Sequence, residues 1–183
     1  MQTALSEQYS HLPRLPVEYY RGRAFVHWTM TIEHRRTSWL NEAFHARFRE
    51  ILLHTLARHH LVCPVYCLMP DHLHMMWAGL CLASDQRLAS RFFRTHLNPA
   101  LRPYRLQLQA FDHVLRLAER GREAFAAASG YILQNPVRAG LCESWQHYPY
   151  SGAMAAGYPD LDVRQPDFWE IFWKLYNRLV TIR

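Results

Sequence analysis

The segment from Val62 to Ala78 narrows the choice of fold more than any other part of the chain. Two apolar runs, Val62 to Leu68 and His72 to Ala78, are separated only by Met69-Pro70-Asp71. Proline presets φ at one turn position and aspartate bonds back to nearby backbone, so the three residues suit a tight turn and the runs on either side read as a β-hairpin. Upstream, Val26, Trp28, Met30 and Ile32 alternate with His27, Thr29 and Thr31, the period of a half-buried strand over Ala24 to Ile32. Asn41 then precedes Phe44, Phe48, Ile51, Leu52 and Leu56, which share one face of a helix ending near His59.

Downstream of the hairpin, Ser84 or Asp85 can cap a helix reaching to about Leu97. In that reading Leu88 and Phe92 point inward, Arg87, Arg91 and Arg94 form an outer stripe, and Pro99 and Pro103 stop the helix. Leu106, Leu108 and Ala110 alternate with Gln107 and Gln109 as a fourth strand, and Glu119 to Gln134 reads as a helix ended by Asn135-Pro136. Phe168, Phe172, Leu175 and Leu179 recur at helical spacing in a last helix, Asp167 to Val180, beside Trp169, Trp173 and Tyr176. The order β-α-β-β-α-β-α, with a hairpin at its centre, predicts an α+β, ferredoxin-like fold: a mainly antiparallel sheet with helices packed on it, plus a C-terminal helix. The expected organisation is an N-terminal extension over 1–20, a main body over 21–151, and a linker with an amphipathic helix over 152–183.

A chain of 183 residues, half of them apolar, can bury one sizeable core. Its net charge of +6 favours a polyanionic partner. Nearly all the basic residues are arginines, Lys174 being the only lysine, and guanidinium groups both fork onto phosphate oxygens and stack on bases. Cys63, Cys67, Cys81 and Cys142 have neither CxxC pairing nor zinc-knuckle spacing, so they read as core thiols of a reducing compartment. Met1 to Pro16 has no apolar signal core and nowhere do eighteen apolar residues run together, which gives a cytoplasmic expectation.

His72 and His74 lie two apart on the expected third strand, so both imidazoles project from one face, roughly 6–7 Å apart along it. Leu73, Met75 and Trp77 point the other way, and their burial fixes which face the histidines take. Two such imidazoles can converge on one divalent ion, although a His-x-His pair among twelve histidines also arises by chance. Asp71 reads as a turn residue able to help from behind a ligand. Tyr131 and Asn135, four apart, share a helix face that Phe125, Ala128 and Ile132 leave free. On spacing alone, Tyr131 is a packing residue with a wet hydroxyl.

Met69-Pro70-Asp71-His72-Leu73-His74 resembles the metal-binding signature of the HUH single-strand nucleases, in which the tyrosine transposases carry Met-Pro-Asn-His-x-His. Tyr131-Ile132-Leu133-Gln134-Asn135-Pro136-Val137-Arg138-Ala139-Gly140-Leu141 is similar to the catalytic tyrosine block of the REP-associated tyrosine transposases. Phe111 to Arg116 and Trp145 to Ser151 resemble two further blocks, so the likeness spans about Ala24 to Ser151 in order. The resemblance implies His72, His74 and Asn135 as ligands of Mg2+ or Mn2+ and Tyr131 as nucleophile. It also implies a 5′-phosphotyrosine intermediate and a single-stranded DNA partner carrying a hairpin. Asp71 departs from the usual asparagine: a carboxylate there could tighten metal binding or repel the scissile phosphate. The tail after Gly157 matches no block.

The chemistry accounts for these residue types. A divalent ion neutralises charge on a phosphodiester's non-bridging oxygen, and a phenol must shed its proton to attack phosphorus. The scissile phosphate must lie in line with the phenol, which a flexible single strand permits and a paired one obstructs. For DNA binding the sequence offers Arg87, Arg91 and Arg94, with Arg21, Arg23, Arg35 and Arg36 as further positions. Two other readings stay open: a domesticated protein that holds repeat hairpins without moving DNA, and a metal hydrolase of a non-nucleic substrate, which would need further ligands. Monomer and homodimer are equally open, because the last helix can cover its own domain or a second copy.

Overall fold

The computed structural model describes residues 14–182; most of the expected N-terminal extension, 1–13, lies outside them. Five strands, β1 (Phe25–Thr31), β2 (Leu61–Leu68), β3 (His72–Gly79), β4 (Phe111–Val114) and β5 (Ser151–Met154), form one antiparallel sheet in the order β4-β1-β3-β2-β5. The helices are α1 (Glu42–Arg58), α2 (Gln86–Ala100), α3 (Arg122–Leu133), the short α4 (Asn135–Arg138) and α5 (Phe168–Ile182). The first four strands and first two helices follow the ferredoxin-like plan read from the sequence.

The sheet is covered on both faces, which explains why β2 is buried along its whole length instead of alternating. Trp28, Met30, Leu73, Met75 and Trp77 pack in one core with Phe48, Leu52 and Leu56 of α1 and Ala89, Phe93 and Leu97 of α2. Phe25, Val65, Met76 and Ala78 pack in a second with Phe125 and Ile132 of α3 and Phe168, Phe172 and Tyr176 of α5. Asn41 caps α1 by accepting from Phe44 N at 2.9 Å, as its position before the apolar stripe requires.

Four expectations are corrected. On α2 the inward stripe is Gln86, Ala89, Phe93 and Leu97, while Leu88 is 50 % exposed and Phe92 only half-buried. The phase is set by Gln86, whose amide accepts from Trp28 Nε1 at 3.2 Å and donates to Ala24 O at 2.7 Å, and by small Ala89, which lets the helix approach the sheet. Asp85 is the cap, accepting from Arg87 N and Leu88 N, and the helix runs through Pro99 to Ala100.

The fourth strand is Phe111–Val114, not Leu106 to Ala110. Leu106 makes only an isolated bridge to Ile32, its N–H goes to Asn98 Oδ1 at 2.9 Å, and Leu108 is 75 % exposed. Continuous pairing with β1 starts only at Phe111, opposite Thr29. The helix expected from Glu119 begins at Arg122, because Gly121 is extended (φ −57°, ψ 146°) and caps it after a 3-10 turn over Leu117–Arg120. Its expected end holds, and Pro136 then opens α4, where its missing N–H costs nothing.

The stretch from 152, expected as linker, opens inside β5, with Gly152 opposite Tyr66. An added Cβ at Gly152 would meet the Tyr66 side chain, with Oη at 2.8 Å, so glycine here leaves room for that buried ring. Tyr148 Oη donates to Leu68 O at 2.7 Å, and Arg164 Nη2 to Tyr148 O at 2.8 Å, which fasten the strand. The last helix docks on its own domain: Tyr176 Oη donates to Gly79 O at 2.9 Å and Arg23 Nη2 to Val180 O at 3.0 Å. No helix among the described residues is long and apolar enough to cross a membrane.

Candidate functional site

Strand alternation sends His72 and His74 to one face, as expected, which is the face that α3 and α5 cover, and the backbone register places Thr31 and Thr29 of β1 beside them. Their Nε2 atoms stand 3.0 Å apart with the rings at 90°. Two nitrogens bonded to one ion at about 2.1 Å and at right angles would be separated by about 3 Å, so the spacing fits a shared cation. Each ring is also held by its other nitrogen. His72 Nδ1 lies 2.5 Å from Asp71 Oδ1, and Asp71 Oδ2 accepts from Arg35 Nη1 at 2.8 Å. His74 Nδ1 lies 3.1 Å from both His27 Nε2 and Thr29 Oγ1. An imidazole whose Nδ1–H has an acceptor turns a bare Nε2 outward, the tautomer a metal requires.

Burial favours the same protonation state. His74 is only 9 % exposed, and desolvation, then the charges of His27, His72 and Arg138, hold its pKa down at about 3. Burial and His113 hold His27 at about 4. His74 and His27 are therefore neutral at neutral pH, so His74 can offer a ring nitrogen to a metal without first losing a proton. The bonds from His72 and Arg35 outweigh desolvation at Asp71 and keep its carboxyl below the usual range. Among the described residues no group of three histidine, cysteine or carboxylate side chains could hold a metal, which leaves the non-nucleic hydrolase reading without the ligands it needs.

The α3–α4 joint supplies the rest of the site. Tyr131 is 59 % exposed, off the stripe formed by Phe125, Ser129 and Ile132, and its hydroxyl bonds to no described residue. Arg138 lies over its ring, 3.7 Å from guanidinium carbon to centroid, and donates from Nη2 to Tyr131 O at 2.8 Å. Asn135 Nδ2 donates to Ile132 O at 3.0 Å and its Oδ1 accepts from Arg138 Nη2 at 3.1 Å. The structure thus makes two groups, the histidine pair and the Tyr131-Asn135-Arg138 triplet. Both belong to the same sheet face, because α3 packs on β2 and β3, and the Arg138 charge acts on His74. No hydrogen bond links Asn135 or Tyr131 to either histidine.

Of the arginines read from the sequence, Arg35 stands beside the histidines through Asp71. Arg21 pairs with Asp85 at 3.0 Å, Arg23 is spent on the end of α5, and Arg36 is exposed. Arg87, Arg91 and Arg94 ride on α2, across the sheet from the histidines. Sequence reasoning missed His27, Thr29 and Arg138 as site residues. His27 and Thr29 alternate visibly in β1, but only the pairing of β1 with β3 brings them to His74; Arg138 lies within the tyrosine block, three residues after Asn135.

No family model and no curated protein matches this chain. Among solved structures, that of a REP-associated tyrosine transposase bound to a REP hairpin aligns with 78 % of this chain and 81 % of its own, at 19 % identity and a TM-score of 0.64. The five-stranded antiparallel sheet with its flanking helices therefore shares its fold with that solved transposase.

Proposed function

We propose that the chain is a metal-dependent tyrosine transposase that nicks and rejoins single-stranded DNA next to hairpin-forming repeats. The observation that carries this reading is the convergence of two imidazoles, each with its Nδ1 tied back, on the sheet face that also bears an exposed tyrosine. His72 and His74 would hold Mg2+ or Mn2+, with the Asn135 carboxamide oxygen as third ligand once Arg138 releases it. A bound ion would neutralise charge on the non-bridging oxygens of the scissile phosphate.

Tyr131 supplies the nucleophile. Its oxygen bonds to phosphorus as the bond from phosphorus to the 3′ oxygen breaks, giving a 5′-phosphotyrosine and a free 3′-hydroxyl. The phenolic proton leaves to solvent and the departing 3′ oxygen takes one up. Because the phosphodiester is exchanged and not hydrolysed, a 3′-hydroxyl from another strand can reverse the step without a nucleotide cofactor. Arg138, stacked on the phenol, is placed to meet the phosphate as it arrives.

Incubation of the protein with single-stranded DNA from the flanks of its own gene, with Mn2+ or Mg2+, is expected to give a conjugate that resists denaturant. Tyr131→Phe is expected to give none while still shifting DNA in a gel, and His72→Ala to lose the metal-dependent product. A conjugate formed by Tyr131→Phe would refute the nucleophile. One observation favours a second reading, a non-mobilising protein that only holds repeat hairpins: the Asn135 carboxamide is engaged by backbone and Arg138. Hairpin binding without cleavage across both metals would select it.

A further inference from the structure

On the opposite side of the sheet, Arg14, Arg87, Arg91 and Arg94 line one cleft of about 310 Å3 with Ser90 and Asn98. Four guanidinium groups share this space, and the Asp112 carboxylate beside it accepts from Arg14 Nε at 3.0 Å and also from Tyr20 Oη. Its single charge is thus already committed. Arg94 donates to Gln107 O, yet its Nε is buried with no hydrogen-bond partner among the described residues. Burial and the Arg14 charge both lower the Arg94 pKa, as expected where like charges crowd. Arg87, Arg91 and Arg94 follow at i, i+4 and i+7, a row about 10 Å long on one helix face. That row is long enough to meet more than one phosphate of a strand. Asn98 uses its Oδ1 on Leu106 N at 2.9 Å, which leaves the amide donors for a ligand.

We propose that this arginine cleft on α2 holds consecutive phosphodiester groups of the DNA backbone, on the sheet face away from the histidine pair. Holding and cutting are then done by opposite faces, with the DNA passing an edge of the sheet to reach Tyr131. The inference rests on the DNA reading of the protein but not on its cleavage chemistry. Arginine suits the task because its planar fork matches paired phosphate oxygens. The sequence offered the α2 stripe; Arg14, distant in the chain, is what turns a solvated row into a cleft.

The test is fluorescence anisotropy of two labelled DNAs, a repeat hairpin without tails and an unpaired strand of equal length, across a salt series. Arg87→Ala and Arg91→Ala, both exposed positions, are expected to weaken binding about 3-fold each and to reduce the salt slope by about one each. Arg91→Lys is expected to keep the slope, since the charge remains. Loss on both DNAs assigns the cleft to backbone in general, and loss on the hairpin alone assigns it to the stem. Unchanged affinity and slope in variants whose melting temperatures match the parent would overturn the proposal. A protein that binds through this cleft yet never forms a covalent conjugate would leave this inference standing and remove the assignment of Tyr131.

Discussion

At the residue scale the site depends on tautomers. His74 can offer Nε2 to a metal only if Nδ1 carries the proton, and His27 Nε2 and Thr29 Oγ1, each at 3.1 Å, are its acceptors. His27→Phe keeps a ring of similar size but no acceptor, and is expected to weaken Mn2+ binding by about 10- to 100-fold in calorimetry. His27→Gln, whose amide oxygen can accept in place of Nε2, should recover most of it. Equal affinity for all three proteins would show that His27 only fills space. The histidine pair itself was legible in the sequence, because strand alternation alone puts residues two apart on one face. His27 was not, because its role arises from a cross-strand register that no local pattern encodes.

At the scale of elements, local pattern succeeded where one face of an element decides its fate and failed where two competed. The α1 stripe has a single apolar solution and was read correctly. In α2 two stripes compete, Leu88 with Phe92 and Ala89 with Phe93, and the buried Gln86 amide selects the second. β5 escaped notice because Ser151 and Gly152 carry no strand signal of their own; glycine is there for the close approach to Tyr66. The α5 helix, by contrast, announced its apolar face but not its partner, which is the ring cluster of Phe25 and Phe125. Phe125 and Phe172 stack at 6.1 Å, and Phe25 meets Phe125 edge-on at 5.1 Å. Phe172→Ala is expected to cost about 3–5 kcal/mol in urea unfolding, as for a fully buried aromatic ring. A loss under about 1 kcal/mol would mean that α5 is loosely attached.

For the whole molecule, a sheet covered on both faces carries the histidine pair on one side and the arginine cleft on the other, and acid should trouble it through buried imidazoles. His45 Nε2 lies 3.0 Å from Tyr66 Oη, which also accepts from Arg49 Nη1 at 2.7 Å. Burial first, then Arg49 and Arg164, bring the His45 pKa from 6.5 down to about 4. Above pH 6.5 neither folded nor unfolded His45 holds a proton; below it the unfolded chain takes one up first, so stability falls from about pH 6.5 toward about pH 4. His45→Gln should flatten the melting curve across that window, and an unaltered slope would place the acid sensitivity elsewhere. The central claim is that the late-helix phenol and the hairpin imidazoles serve one centre. Paramagnetic broadening by Mn2+ of ring resonances from labelled tyrosines tests it most directly. The Tyr131 signal, identified by its loss in Tyr131→Phe, is expected to broaden at stoichiometric metal and to stay sharp in His72→Ala. Metal that binds His72 and His74 while leaving the Tyr131 signal sharp would contradict the account.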